Sequence, residues 1–267
     1  MAMDLTLMLV LFAIGFIGSF LSGMLGVGGS IIKYPMLLYI PPLFGLTAFT
    51  AHEASGISAV QVLFASIAGI WAYRKGGYLH KPLIIYMGGA IFTGSLIGSY
   101  GSIFFSEQVV NVVYGLLAGL AAVMMFVPKK HTDDMPLHEV DFHKPLAAML
   151  AFIVGAASGI VGAAGGFLLV PILLTVLHIP TRITIATSLA VTFISSIGGS
   201  AGKLITGQVD IVSAMVMVAA SLLAAPLGAA AGKRMNTKML RILLALLIAA
   251  STVKIWVDVL TAFIWTE

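Results

Sequence analysis

Eight stretches of the chain, at about Leu5–Leu25, Ala54–Tyr73, Pro82–Phe104, Val109–Val127, Pro145–Val161, Ile183–Gly202, Ile211–Gly232 and Met239–Ile264, run apolar for close to the length of a bilayer-crossing helix. A hydrocarbon core about 30 Å thick asks for roughly 20 such residues. Lipid offers the backbone no hydrogen bonds, so each stretch must satisfy its own amides and carbonyls by coiling into a helix. Two shorter apolar runs, Ile31–Phe44 and Phe167–His178, contain prolines and fall short of a span. They read as broken or re-entrant helices. Only 9% of the residues are charged, against about 25% in a soluble domain. A soluble enzyme is thereby excluded, and so is a nucleic-acid partner, in spite of a net charge of +4. The expectation is an all-α integral membrane protein with the lipid bilayer as its solvent.

The few cations explain that charge. Lys and Arg concentrate on the cytoplasmic side of membrane proteins. Most of the 14 here fall in three places: Arg74, Lys75 and Lys81; Lys129, Lys130 and Lys144; Lys233, Arg234, Lys238 and Arg241. With those three inside, Glu107 and Asp210 lie outside, each half crosses an odd number of times, and both termini lie outside. The N-terminus has neither the basic start nor the small-residue site of a cleaved signal, so the first helix reads as retained. There is no cysteine, which removes disulfides and thiolate metal sites. No metal site or cofactor is expected.

The halves on either side of the polar segment 129–144 resemble one another. Gly23, Gly26, Gly29 and Pro35 align without gaps on Gly159, Gly162, Gly165 and Pro171, with Ser22 on Ser158. Further on, Gly77 to His80 matches Gly207 to Asp210, and Gly94 to Gly98 matches Ala224 to Gly228. The expected organisation is a first repeat over 1–128, a cytoplasmic linker over 129–144, and a second, inverted repeat over 145–267. Inverted repeats are a common build for secondary transporters, with binding near the midplane at matching helix breaks.

Each glycine motif ends a long helix and opens a short one. Glycine tolerates the backbone conformations such a break needs. The next helix then begins with unpaired N–H groups at its positive dipole end, which suits an anion where fixed charge is costly. Two facing breaks, Gly26, Gly28, Gly29 and Ser30 with Gly162, Gly165 and Gly166, would hold a small anionic substrate. The competing reading is that the glycines only allow close helix crossing.

Gly-x-x-Gly-x-Gly-Gly followed by an apolar run and Pro35, repeated in the second half and joined there by Thr187-Ser188-Leu189-Ala190, resembles the TauE/SafE sulfite-exporter family. Gly207-Gln-Val-Asp210 is similar as well. The likeness covers essentially the whole chain; Ser30 and Ala51-His-Glu-Ala-Ser55 depart from it. It implies a transporter of small sulfur-containing anions, sulfite or organosulfonates, in a prokaryotic inner membrane. A thiosulfate-moving branch of the wider group relies on cysteines, which this chain lacks.

Isolated polar residues leave alternatives. Lys33 is either a counter-charge for the anion or a side chain snorkelling to the cytoplasmic interface. His52 and Glu53 are either a pair that couples transport to a proton or interfacial residues of a loop. Lys254 and Asp258 stand at helical i, i+4 spacing and are expected to pair. Arg182 anchors its helix, and Gln61 and Asn111 suit bonds between helices. An intramembrane enzyme is disfavoured. His52-Glu53-Ala-Ser-Gly56 lacks the second histidine of the zinc motif, and Ser22 or Ser158 would have only His178 for a base. A passive anion channel with the same breaks is the main alternative function, and a homo-oligomer is compatible with the sequence.

Overall fold

The computed structural model describes residues 4–26, 30–73, 77–126, 140 and 142–264, with no strand among them. The helices are α1 (Leu5–Leu25), α2 (Ser30–Leu43), α3 (Ala51–Tyr73), α4 (Lys81–Gly101, continued by the 3-10 turn Ser102–Phe104), α5 (Glu107–Phe126), α6 (Lys144–Val161), α7 (Gly166–Thr175), α8 (Thr181–Ile205), α9 (Ile211–Arg234) and α10 (Thr237–Ile264). Among the described residues seven are long and apolar enough to cross a membrane: α1, α3, α4 with its 3-10 turn, α5, α6, α8 and α9. The sequence count of eight differs by α10, a 28-residue helix whose described apolar stretch is Ile248–Val257. The two short helices fall where the proline-bearing runs put them, α2 with 14 residues and α7 with 10. The chain is an all-α integral membrane protein.

Local sequence sets the helix starts. Asp4 and Asp210 accept from the amides of Thr6 and Val212, at 3.4 and 3.2 Å, and so cap α1 and α9. His-Lys-Pro-Leu occurs at 80–83 and again at 143–146, and both copies make the same cap. Nδ1 of His80 accepts from the Leu83 amide and Nδ1 of His143 from the Leu146 amide, each at 3.3 Å. The proline follows in the first turn of α4 and of α6, where a missing N–H costs nothing.

α3 and α8 form the buried centre and run antiparallel: Gly56 near the start of α3 meets Gln208 beyond the end of α8, and Gly69 near the end of α3 meets Leu189. Around them the contacts pair off between the halves. α1 lies along α9 as α6 lies along α4, α3 packs on α9 as α8 packs on α4, and α2 meets α10 as α7 meets α5. Between membrane helices the driving force is close packing rather than water exclusion, so small residues sit at the crossings. A Cβ on Gly159 would lie 2.5 Å from the Ser95 carbonyl oxygen of α4, and one on Gly23 would collide with Ala225 of α9. Ser95 and Ala225 hold the same place in the register that pairs Gly94 with Ala224. Large apolar side chains such as Leu5, Ile85, Val123 and Leu223 point outward, as lipid requires.

Candidate anion site at the helix breaks

α1 ends on Gly26 in the left-handed region, φ 76°, and α6 ends on Gly162 at φ 71°. Both caps dock on the opposite half. Gly26 lies against Ile185 near the start of α8, and its carbonyl accepts from Ser188 Oγ at 2.8 Å. Gly162 lies against Ser55 near the start of α3. Ile185 and Ser55 correspond in the register that pairs Gly77 with Gly207. Because α3 and α8 are antiparallel, the two caps stand at opposite ends of the central pair. They do not face each other at mid-depth as the sequence suggested, because α1 and α6 each continue to the end of the bundle before they break.

The first turns of the short helices come closer together than the caps. Tyr114 of α5 donates its hydroxyl to the Ile31 carbonyl at the start of α2, and its ring lies 6.2 Å from Phe167 at the start of α7. Tyr34 of α2 stacks on the same ring at 4.6 Å and donates to Asn111 at 2.7 Å. α7 opens through Gly165, also left-handed at φ 71°, and Gly166; both are buried. A first helical turn has no intrahelical acceptor for its amides. Gly28 and Gly29 lie outside the described residues. Ser30 is the first residue of α2; its side chain lies outside them too.

Lys33 is fully buried, so it does not snorkel to an interface. Its stem covers Gly18, where a Cβ would sit 2.6 Å from the lysine Cδ. Gly18 lies well inside α1 and adjoins Ser19, which accepts from Gln61 in the middle of α3 at 2.6 Å. The lysine therefore sits at mid-depth. One turn along the same face of α1, the buried hydroxyl of Ser22 has no hydrogen-bond partner. The position that aligns with Lys33 in the second half of the sequence is Leu169.

His52 and Glu53 adjoin in sequence but do not pair. Glu53 accepts from the Thr50 amide and hydroxyl, at 2.9 and 3.0 Å. His52 bonds through Nδ1 to Gln208 Oε1 and through Nε2 to the Phe105 carbonyl, both at 3.0 Å. A side chain 156 positions away meets an adjacent carboxylate's neighbour only through the fold, and no spacing rule could have signalled it. Lys203, on the same side, is also fully buried and donates to Ser102 Oγ, Gln208 Oε1 and the Ile160 carbonyl at 2.7, 2.8 and 3.0 Å. Lys254 lies over the Tyr39 ring at 4.2 Å, while the Asp258 side chain proposed for it lies outside the described residues. Gln61 joins α3 to α1 and α9 through Ser19 and Ser221. No group of His, Asp or Glu able to hold a metal occurs among the described residues.

A family model described as sulfite exporter TauE/SafE matches residues 11–255. The probable membrane transporter protein YunE of Bacillus subtilis is 27% identical over 89% of this chain and 94% of its own. The probable membrane transporter protein MJ0441 of Methanocaldococcus jannaschii is 27% identical over 90% and 92%. A probable membrane transporter protein of Xylella fastidiosa is 32% identical over 66% and 65%. No solved structure matches.

Proposed function

The chain belongs to the TauE/SafE sulfite exporter family, and from that premise we propose that it is a secondary transporter carrying small sulfur-containing anions, sulfite or organosulfonates, past the first turns of α2 and α7. It acts in a prokaryotic inner membrane, with the basic loops inside and both termini outside, and its two halves are inverted copies. The observation that carries this reading is the mid-depth lysine. A buried Lys costs about 2.5–3.5 kcal/mol at the centre of a membrane helix and is kept where an anion uses it. Lys33 meets that description, with the orphaned Ser22 hydroxyl one turn away on α1, and Tyr114 bridges the starts of α2 and α7.

The division of labour follows from the residues. Lys33 supplies the positive charge, Ser22 a hydroxyl donor, and the helix starts at Ser30 and Gly166 backbone N–H groups that bind oxyanions without a further fixed charge. The pseudo-symmetric caps at Gly26 and Gly162, one at each end of α3 and α8, are where the breaks hinge as access alternates between the two sides. A flux test on reconstituted protein, with radiolabelled sulfite and taurine, examines this directly. Gly165→Leu, which would drive a side chain into Val154 and Ser158, abolishes uptake while the protein remains in the membrane. Unaltered uptake in that variant would remove the breaks from the pathway. Flux that fails to saturate would mark a channel instead.

A further inference from the structure

Two cationic side chains occupy the same place in the two halves, and they do the same thing. Arg182 is the second residue of α8, and it donates to the carbonyls of Lys233 and Met235, at 3.1 and 3.2 Å, at the far end of α9. His52 is the second residue of α3, and its Nε2 meets the Phe105 carbonyl, just past the end of α4. α3 corresponds to α8, and α4 to α9, in the register of the repeat. Each side chain thus ties the start of a central helix to the far end of the helix that follows it. Arginine holds its tie at every physiological pH. Histidine changes charge between pH 5 and 8.

The hydrogen bonds say which form of His52 closes the tie. A backbone carbonyl can only accept, so the bond to Phe105 needs a proton on Nε2. The bond at Nδ1 depends on which end of the Gln208 amide faces the ring, and Lys203 decides that. An ammonium can only donate, so the atom 2.8 Å from Lys203 Nζ is the amide oxygen. The Gln208 nitrogen is then directed to Thr206 Oγ1 and Ser102 Oγ, at 2.8 and 3.2 Å, both able to accept. His52 therefore faces an acceptor on each nitrogen, and both bonds exist together only in the imidazolium. Neutral imidazole must release one of them.

Among the described residues no carboxylate is bonded to the ring. Glu53 on α3 is engaged with Thr50, Glu107 on α5 approaches the Ala51 amide at 3.5 Å, and Asp210 before α9 caps Val212 and Ser213. The charged neighbour is Lys203 of α8, which shares the Gln208 oxygen with His52.

We propose that His52 is a proton-binding clamp at the Gly162 end of the bundle: its imidazolium fastens α3 to the α4–α5 corner and the α8–α9 turn, and loss of the proton frees one of these. Lys203 is a positioning residue that fixes the Gln208 amide. The same lysine holds the Ile160 carbonyl two residues before Gly162, so the clamp borders the second break. The α9 end carries the permanent version, in Arg182. This clamp deepens the transporter reading and rests on it for its role in coupling, whereas its opening is measured without any substrate.

The chain has no cysteine, so spin labels can be placed cleanly at Ala48→Cys and Ile205→Cys, both exposed and on either side of the clamp. In reconstituted protein the distance between them is expected to be short and narrow at pH 5 and longer and broader at pH 8. His52→Arg should keep the narrow distribution at both pH values, and His52→Leu the broad one. A distance in the unsubstituted background that ignores pH overturns the clamp, and so does a His52→Arg protein that still opens with pH. Flux of an alkanesulfonate, whose charge is constant over this range, gives the second reading: it changes between pH 5 and 8 in the parent and stays flat in His52→Arg. Absence of any sulfur-anion flux in the parent would refute the proposed function, while the label distances still decide the clamp.

Discussion

Substituting Gly162 by alanine tests whether the second break is held by its docking on α3. Two penalties add. The residue is left-handed, φ 71°, which costs about 1–2 kcal/mol for a residue with a side chain. The new Cβ would also collide with the Ser55 carbonyl oxygen and lie 2.6 Å from the carbonyl carbon and 2.7 Å from Ser55 Oγ. Carbon contacts settle at about 3.5–4.0 Å, so relieving the carbon contact alone takes a retreat of α3 by roughly 0.9 Å, and the closer oxygen asks for more. Forcing that into a packed interior costs a further ~1–3 kcal/mol. Gly207 supplies the control. It is left-handed to the same degree, φ 70°, but nothing lies within 4 Å of its would-be Cβ. Gly207→Ala therefore carries the backbone penalty alone. Thermal unfolding in one detergent, followed by tryptophan fluorescence, compares the two. At roughly 3 °C per kcal/mol, Gly207→Ala should lose about 3–6 °C and Gly162→Ala about 6–15 °C. Ser55 also bonds the Ile160 carbonyl at 3.3 Å, so the larger loss should come with lost flux. Equal melting temperatures would refute the argument, because they would mean that the close approach to α3 exerts no resistance.

Two further outcomes follow from single residues. Lys33→Met keeps the stem that covers Gly18 and removes the buried charge, so the variant should remain folded in the membrane while sulfite flux is lost; parental flux in the folded variant would contradict it. Burial holds the His80 imidazole below its usual 6.5, with the Val140 backbone bond opposing. The neutral ring caps α4, and the unfolded chain takes up the proton first. That stability is therefore complete above about pH 6.5 and is lost as the pH falls toward the folded value. The melting temperature should drop between pH 7 and 5, and His80→Asn, which keeps a cap without titrating in this range, should flatten that slope; an unchanged slope in the variant would show that another group is responsible.

Most of the fold is written locally. α1 spans the residues that its apolar run predicted, Leu5–Leu25, because lipid demands a continuous helix and Gly26 stops it. The short helices were equally legible, since Pro35 and Pro171 stand inside runs too brief to cross. Gly26 docks on Ile185 and Gly162 on Ser55, two positions 130 apart, the spacing at which the sequence pairs Gly77 with Gly207. What the sequence obscured is where the breaks lie relative to one another. Antiparallel crossing of α3 and α8 is a property of long-range packing, and it moves the two caps to opposite ends. Likewise the partner of His52 had to be guessed from its neighbour Glu53, whereas the fold supplied Gln208. The depth of Lys33 depends on a small residue at Gly18, which only the pairing of α1 with α2 brings to it.

Equilibrium binding of radiolabelled sulfite to the purified protein tests the central claim most directly. The parent should bind saturably, with displacement by an organosulfonate, and Lys33→Met and Gly165→Leu should each weaken binding by about tenfold or more, the equivalent of ~1.4 kcal/mol. Sulfite binding at parental affinity in both folded variants would place the anion somewhere other than the starts of α2 and α7.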